Sequence, residues 1–295
     1  MKPLCRNRLT VAVFGVFTPF LLAGWLGSAT AQTAAKAGSG ISTVEEAKAL
    51  VRQHANDPNA YIVLGGTYRR VKQYDDALAA FRKAASLDPK SSTPHVSLGA
   101  VYMDMGRSAD AEKEFRKAIA LNPKDGTAHL NLGSYYNSVG RRDDALGSFR
   151  RATEVTPDLA DAWVNYGILL NELGKSGEAK EAYLKALAQD STNVSAINNL
   201  GNAEYALGQI SRATELYQKA LRIDPKNQEA LYNLGVSFAD AQIYKQALDY
   251  WRRLVAIDST TTVAQSAKNS IQVLTDFLSQ QKTGTPGQSP APSEH

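Results

Sequence analysis

Four asparagines recur at intervals of 34 residues in the sequence. They are Asn131, Asn165, Asn199 and Asn233, and four more asparagines lie close to them: Asn137, Asn171, Asn198 and Asn202. A side-chain amide both donates and accepts hydrogen bonds, so a row of amides can pair with the backbone of an extended peptide of any sequence. These residues are therefore suited to binding a chain segment without chemical reaction.

Other candidates for chemistry are few. His95 and His129 are also 34 residues apart, but no carboxylate or third histidine recurs with them, so we expect both to pack between repeats without binding a metal. The single cysteine, Cys5, lies in the N-terminal segment, and the sequence has no GxSxG, HExxH or glycine-rich phosphate-loop motif. We therefore expect no catalytic residues, no metal and no cofactor, and the protein is predicted not to be an enzyme.

The 34-residue interval is the length of a helix–turn–helix unit, best seen in residues 126–159. Its first half has one apolar helical face, formed by Ala128, Leu132, Tyr135 and Val139. Gly140 breaks this helix, and a second apolar face follows at Ala145, Phe149 and Ala152. Pro157 cannot continue a helix, so the unit ends there.

The same pattern occurs six times in succession. The units are residues 58–91, 92–125, 126–159, 160–193, 194–227 and 228–261. Position 8 of each unit is glycine, position 20 is alanine and position 24 is a large aromatic residue. Glycine inside a helix costs about 1 kcal/mol relative to alanine. We therefore expect the aromatic ring at position 24 to pack against the small residues of its neighbour.

These residues carry a resemblance to the tetratricopeptide repeat (TPR) family over about two thirds of the chain. The L-G-x-x-Y phrase is present at Leu64-Gly65…Tyr68, and the A-x-x-x-F-x-x-A phrase at Ala77…Phe81…Ala84. Departures such as Glu204, where the first three units have tyrosine, do not break the period. The resemblance implies an all-α fold, a right-handed superhelical solenoid of six 34-residue repeats between N-terminal and C-terminal capping helices.

The resemblance also implies that the first helices of the pairs line a concave groove and that position 6 faces it. Asn131, Asn165, Asn199 and Asn233 occupy that position, with Asn137, Asn171, Asn198 and Asn202 on the same surface. One interpretation is a ligand-binding ladder along the groove, and the other is that position 6 only supports neighbouring helices. Some relatives bind a C-terminal carboxylate through Lys and Arg at positions 2 and 5, which hold no cation here.

The segments outside the repeats complete the predicted organisation. Residues 1–31 have the basic start, apolar run and A-x-A exit of a signal peptide cleaved after Ala31, although an uncleaved membrane anchor is the alternative. Residues 32–41 read as a flexible tether and residues 42–57 as an N-terminal helix. Residues 262–281 are predicted to form a capping helix, and residues 282–295 a disordered Pro/Ser-rich tail.

Charge argues against a nucleic-acid partner. Three of the 33 lysines and arginines lie in the leader, at Lys2, Arg6 and Arg8, which leaves 30 against 29 acidic residues. A nearly neutral chain has no general field to hold phosphates. The sequence thus predicts an exported, periplasmic protein-binding scaffold of the bacterial cell envelope, or alternatively a structural spacer or self-assembling component that acts through its outer face or ends. It leaves the partner's identity open.

Overall fold

The computed structural model describes residues 41–283. This range contains 14 helices and no strand, so the predicted all-α class is confirmed. The predicted leader, most of the tether and most of the tail lie outside the described residues. Within residues 41–283, no helix is both long enough and apolar enough to cross a lipid bilayer.

The described chain falls into two compact units that meet in sequence between Ser191 and Thr192. The N-terminal unit (residues 41–191) contains α1 Val44–Gln53, α2 Pro58–Arg70, α3 Tyr74–Leu87, α4 Thr93–Asp104, α5 Ser108–Leu121, α6 Gly126–Ser138, α7 Arg142–Val155, α8 Ala160–Glu172 and α9 Ser176–Gln189. The C-terminal unit (residues 192–283) contains α10 Val194–Ala206, α11 Ile210–Ile223, α12 Gln228–Asp240, α13 Tyr244–Ile257 and α14 Thr262–Thr283.

The turn inside each helix pair requires one residue with left-handed backbone geometry. Gly140, between α6 and α7, has φ 78°, and its amide donates to the Asn137 carbonyl. Glycine adopts this conformation without steric penalty. Lys72, in the corresponding turn between α2 and α3, adopts φ 60° although it carries a side chain. The turn geometry is therefore common to the units even where the residue type is not.

The ring expected at position 24 packs directly on the position-8 glycine in every pair. A Cβ atom added to Gly65 would lie 2.6 Å from the Phe81 ring, and the ring of Tyr217 in the C-terminal unit blocks Gly201 in the same way. The corresponding pairs are Gly99–Phe115, Gly133–Phe149, Gly167–Tyr183 and Gly235–Trp251. The predicted packing is confirmed, and it explains why glycine stands inside these helices.

Single helices pack against the first and the last helix pair in the sequence. In α1, Thr43 and Glu46 form a capping box, and Ala47 is buried with Val63 and Leu64 of α2. At the other end of the described chain, α14 buries Ala264, Ala267 and Leu274 in one cluster with Trp251 and Leu254 of α13. Each of these helices covers apolar surface that its neighbouring pair would otherwise expose.

The glycine–ring contact generates the first prediction. Gly133→Ala should lower the free energy of unfolding by about 1–3 kcal/mol, because the new methyl group would overlap Phe149. Urea-induced unfolding followed by circular dichroism measures the change.

Gly147→Ala is the matched control in the same helix pair. A Cβ atom at Gly147 meets nothing within 4 Å, so alanine should raise stability by about 0.5–1 kcal/mol through helix propensity alone. Equal effects of the two substitutions would refute the glycine–ring explanation.

Candidate functional site

In the N-terminal unit, the position-6 amides bond to their own helices. Asn131 is only 5% exposed, and its Nδ2 donates to the Thr127 carbonyl at 2.8 Å. Asn165 is half-buried, and its Nδ2 donates to the Asp161 carbonyl at 2.9 Å. Both donors thus contact a carbonyl one helical turn earlier, which is a local structural role.

The other two asparagines predicted for this unit lie near the ends of their helices. Asn171 Oδ1 accepts a hydrogen bond from the Ser176 hydroxyl at 2.9 Å, across the turn between α8 and α9. Asn137 is half-buried, and its backbone carbonyl accepts from the Gly140 amide. These four asparagines thus make their hydrogen bonds within a helix or across the adjoining turn, and the ligand-binding ladder stays a prediction for this unit.

In the C-terminal unit, four asparagines form one hydrogen-bonded group, here called the amide network: Asn198, Asn199, Asn202 and Asn233. Asn233 of α12 donates through Nδ2 to Asn202 Oδ1 at 2.8 Å and to Asn198 Oδ1 at 3.3 Å, both on α10. Asn202 Nδ2 in turn donates to Asn199 Oδ1 at 3.4 Å. The amides therefore connect the first helices of two successive pairs.

Three further side chains contact the amide network. The Tyr217 hydroxyl donates to Asn202 Oδ1 at 2.9 Å, and burial raises the pKa of this phenol. Ser195 Oγ accepts from Asn199 Nδ2 at 3.3 Å. Glu229 accepts from Asn198 Nδ2 at 3.5 Å. The groups that contact the amide network thus include one carboxylate, and the others are neutral.

Glu229 is the least satisfied member of this group. It lies in the first turn of α12 and is half-buried, and burial raises the pKa of its carboxyl. Across residues 41–283, no Lys, Arg or His nitrogen lies within ion-pair distance of it. Its one hydrogen bond within residues 41–283 is the long one from Asn198.

Glu112 in the N-terminal unit shows how a fully satisfied carboxylate differs. It accepts hydrogen bonds from Arg116, Tyr135 and Tyr136, and Arg141 lies 3.5 Å away. Burial alone would raise the pKa of Glu112, but the hydrogen bonds from Arg116 and the two tyrosines lower it. The Glu112 oxygens are thus satisfied by donors of the same chain, so this cluster has a structural role.

The two candidate histidines have separate environments. His95 is 4% exposed, and its Nδ1 lies 2.7 Å from the Glu114 carboxylate of the same helix pair. His129 is half-buried, and its Nε2 lies 3.1 Å from the Pro123 carbonyl. The polar partner of His95 is thus a carboxylate within the pair, and that of His129 is a loop carbonyl. Among the residues described, no three His, Cys, Asp or Glu side chains are grouped as a metal site.

The sequence identified the four amides of the network but not Tyr217, Ser195 or Glu229. Ser195 and Glu229 share position 2 of successive units, so a search for polar residues at all groove positions would have found them. The signal for the network itself is the pair Asn198 and Asn202, at positions 5 and 9, where the other units have no asparagine.

Comparison with known families identifies the class of protein. Residues 68–134, 138–194 and 229–260 match family profiles described as tetratricopeptide repeat, and residues 201–242 match one described as TPR repeat. The chain therefore belongs to the TPR family. Proteins of this family are generally non-catalytic scaffolds that bind protein or peptide partners.

Solved structures agree on the fold. PilF of Pseudomonas aeruginosa is similar with a TM-score of 0.63 and 21% identity, covering 77% of this chain and 99% of that one. PilW, described as a widely conserved type IV pilus biogenesis factor, has a TM-score of 0.62 and 21% identity, covering 71% of this chain and 97% of that one. Cut9, in the APC/C hetero-tetramer Cut9–Hcn1, has a TM-score of 0.65 and 15% identity, covering 77% of this chain and 45% of that one. Comparison with curated protein sequences gives no significant match.

The different roles of the position-6 amides generate a second prediction. Asn233→Ala should lower the free energy of unfolding by about 1–3 kcal/mol, because it leaves the buried Asn198 Oδ1 without its donor. Asn165→Ala should change it by no more than about 0.5 kcal/mol, because the carbonyl it contacts belongs to its own helix. Chemical unfolding of both variants tests this; equal losses would contradict it.

The environment of Glu229 generates a prediction about pH. Its folded-state pKa is raised, so its contribution to stability is full below the unfolded pKa and is lost as pH rises through the folded value. Glu229→Gln should therefore raise the melting temperature at about pH 7.5 and have a smaller effect at about pH 4. Thermal unfolding at the two pH values measures the difference.

Asp258→Asn is a control of opposite sign. Hydrogen bonds from the Thr260 side chain and backbone lower the pKa of Asp258, so its contribution is present above its unfolded pKa and is lost on acidification. This variant should lower the melting temperature near neutrality and have little effect in acid. The same pH trend in both variants would mean that the carboxylates are not the cause.

Proposed function

We propose that this protein is a non-enzymatic interaction scaffold of the bacterial cell envelope, which binds an extended segment of a partner protein in the groove lined by the first helices. The observation that carries the proposal is the amide network of the C-terminal unit. It places donors and acceptors from α10 and α12 in one hydrogen-bonded group, which suits recognition of a peptide backbone.

The exposure of the network supports binding. Asn202 and Asn233 are only half-buried, so solvent and a ligand can reach them, whereas Asn198 is 1% exposed and anchors the group from within. The network also extends over two helices, so it offers contacts to more than one residue of an extended chain. The contacts of Asn131 and Asn165 suit the structural interpretation of position 6 in the N-terminal unit.

The envelope location in this proposal rests on the leader pattern of residues 1–31. Cleavage after Ala31 would release the repeats into the periplasm, and retention of the leader would hold them at the inner membrane, facing the periplasm. N-terminal sequencing of the protein purified from envelopes distinguishes the two, because only cleavage gives Gln32 as the first residue.

Crosslinking and capture from intact envelopes tests the binding role. The wild type is compared with Asn199→Ala/Asn202→Ala and with Gln246→Ala, which removes an exposed amide from the second helix of a pair. Circular dichroism verifies that the variants are folded. We expect a partner that is captured by the wild type and Gln246→Ala but lost with the double variant.

Equal capture by all three proteins would contradict binding at the network. That result would place the contact on the outer face or the ends of the array. It would favour the alternative, a structural spacer or self-assembling component of an envelope complex.

A further inference from the structure

We propose that the segment bound at the amide network carries a lysine or arginine whose charged group pairs with Glu229. This inference rests on the proposed function and adds the chemical identity of the anchoring residue.

The first argument is the unused capacity of the carboxylate. Two carboxylate oxygens can accept about four hydrogen bonds. Glu229 accepts one, from Asn198 at 3.5 Å, and no cation of the described chain is paired with it. Because the side chain is only half-buried, its unused oxygen lone pairs can accept hydrogen bonds from a ligand.

The second argument is that some charged groups of the C-terminal unit have partners other than Glu229. Asp240 accepts a hydrogen bond from the Tyr205 hydroxyl. Arg253 donates to the Pro225 carbonyl at 2.6 Å, and Lys268 donates to the Ser259 carbonyl at 2.9 Å. These two basic side chains are thus held by backbone groups, and no ion pair within residues 41–283 includes Glu229, so a basic residue of the bound segment can supply the cation.

The third argument concerns the neighbours of Glu229 on α12. Tyr232 and Asn233 follow it by three and four residues, so the three side chains share one face of the helix. Tyr232 is half-buried, with its ring 6.3 Å from the Trp251 ring. A tyrosine ring attracts a cation over its face, and the carbonyl oxygens of the amide network are further acceptors for N–H groups. Carboxylate, ring and amide together match a guanidinium or ammonium group.

A divalent metal ion is the other common partner of a carboxylate, and the geometry does not support it. Such ions take several oxygen ligands, usually including more than one carboxylate. No group of three potential metal-ligating acids, histidines or cysteines exists in residues 41–283. A single carboxylate beside neutral amides suits a monovalent organic cation instead.

Selection from a library of random peptides displayed on phage tests the inference with the full chain as the target. We expect the selected peptides to be enriched in lysine or arginine. Synthetic copies should lose at least about tenfold in affinity for Glu229→Gln, since that variant removes only the charge. Glu215→Gln, which neutralises an exposed acid on α11, is the matched control and should bind as the wild type does.

Replacing the basic residue of a selected peptide by glutamine completes a double-mutant cycle. If that residue pairs with Glu229, the peptide substitution should weaken binding to the wild type and have little further effect with Glu229→Gln. Independent, additive losses would overturn the inference, as would equal losses with Glu229→Gln and Glu215→Gln.

The outcomes also separate the inference from the function on which it rests. Selected peptides that lose affinity for Asn199→Ala/Asn202→Ala but contain no excess of basic residues would leave the binding role intact and refute pairing with Glu229. Failure to select any peptide that depends on these asparagines would contradict both.

Discussion

An aromatic ring pressed against a glycine fixes the orientation of the two helices in each pair. The missing side chains at Gly133 and Gly201 allow the rings of Phe149 and Tyr217 to come closer than any Cβ atom would permit. Full burial of a large apolar side chain contributes about 1.5–3 kcal/mol, which exceeds the roughly 1 kcal/mol lost by placing glycine in a helix. Because Gly201 must face Tyr217, the rotation of α10 about its axis is set, and so are the positions of Asn198 and Asn202.

This constraint explains how much of the fold could be predicted from the sequence. The helices, their turns and the ring–glycine contacts depend on residue types at fixed spacing, and one chain of repeats displays that spacing several times. What a periodic pattern does not specify is the hydrogen-bonding partner of a polar side chain. Asn165 and Asn233 share a repeat position but have different partners. Asn165 contacts its own helix, whereas Asn233 contacts two amides of the preceding pair.

The difference between these two asparagines has a physical origin in the preceding repeat. Asn233 reaches Asn198 and Asn202, which precede it by 35 and 31 residues. The residues at the same separations from Asn165 are Leu130 and Ser134, which offer no amide acceptor. Asn233 reaches the preceding first helix because that helix carries amides at positions 5 and 9 of its unit. The candidate site therefore depends on pairs of positions in successive units, which one repeat position considered alone does not reveal.

The carboxylates illustrate the separate demands of stability and recognition. Glu112 is surrounded by donors from its own chain, so its charge is used entirely within the fold. Glu229 has one weak donor, and a half-buried charge without a partner opposes folding. Amides accept the backbone of almost any peptide and so give little discrimination by themselves. A single charged group that only a cationic side chain satisfies can supply it, because an incorrect ligand leaves that charge desolvated and unpaired.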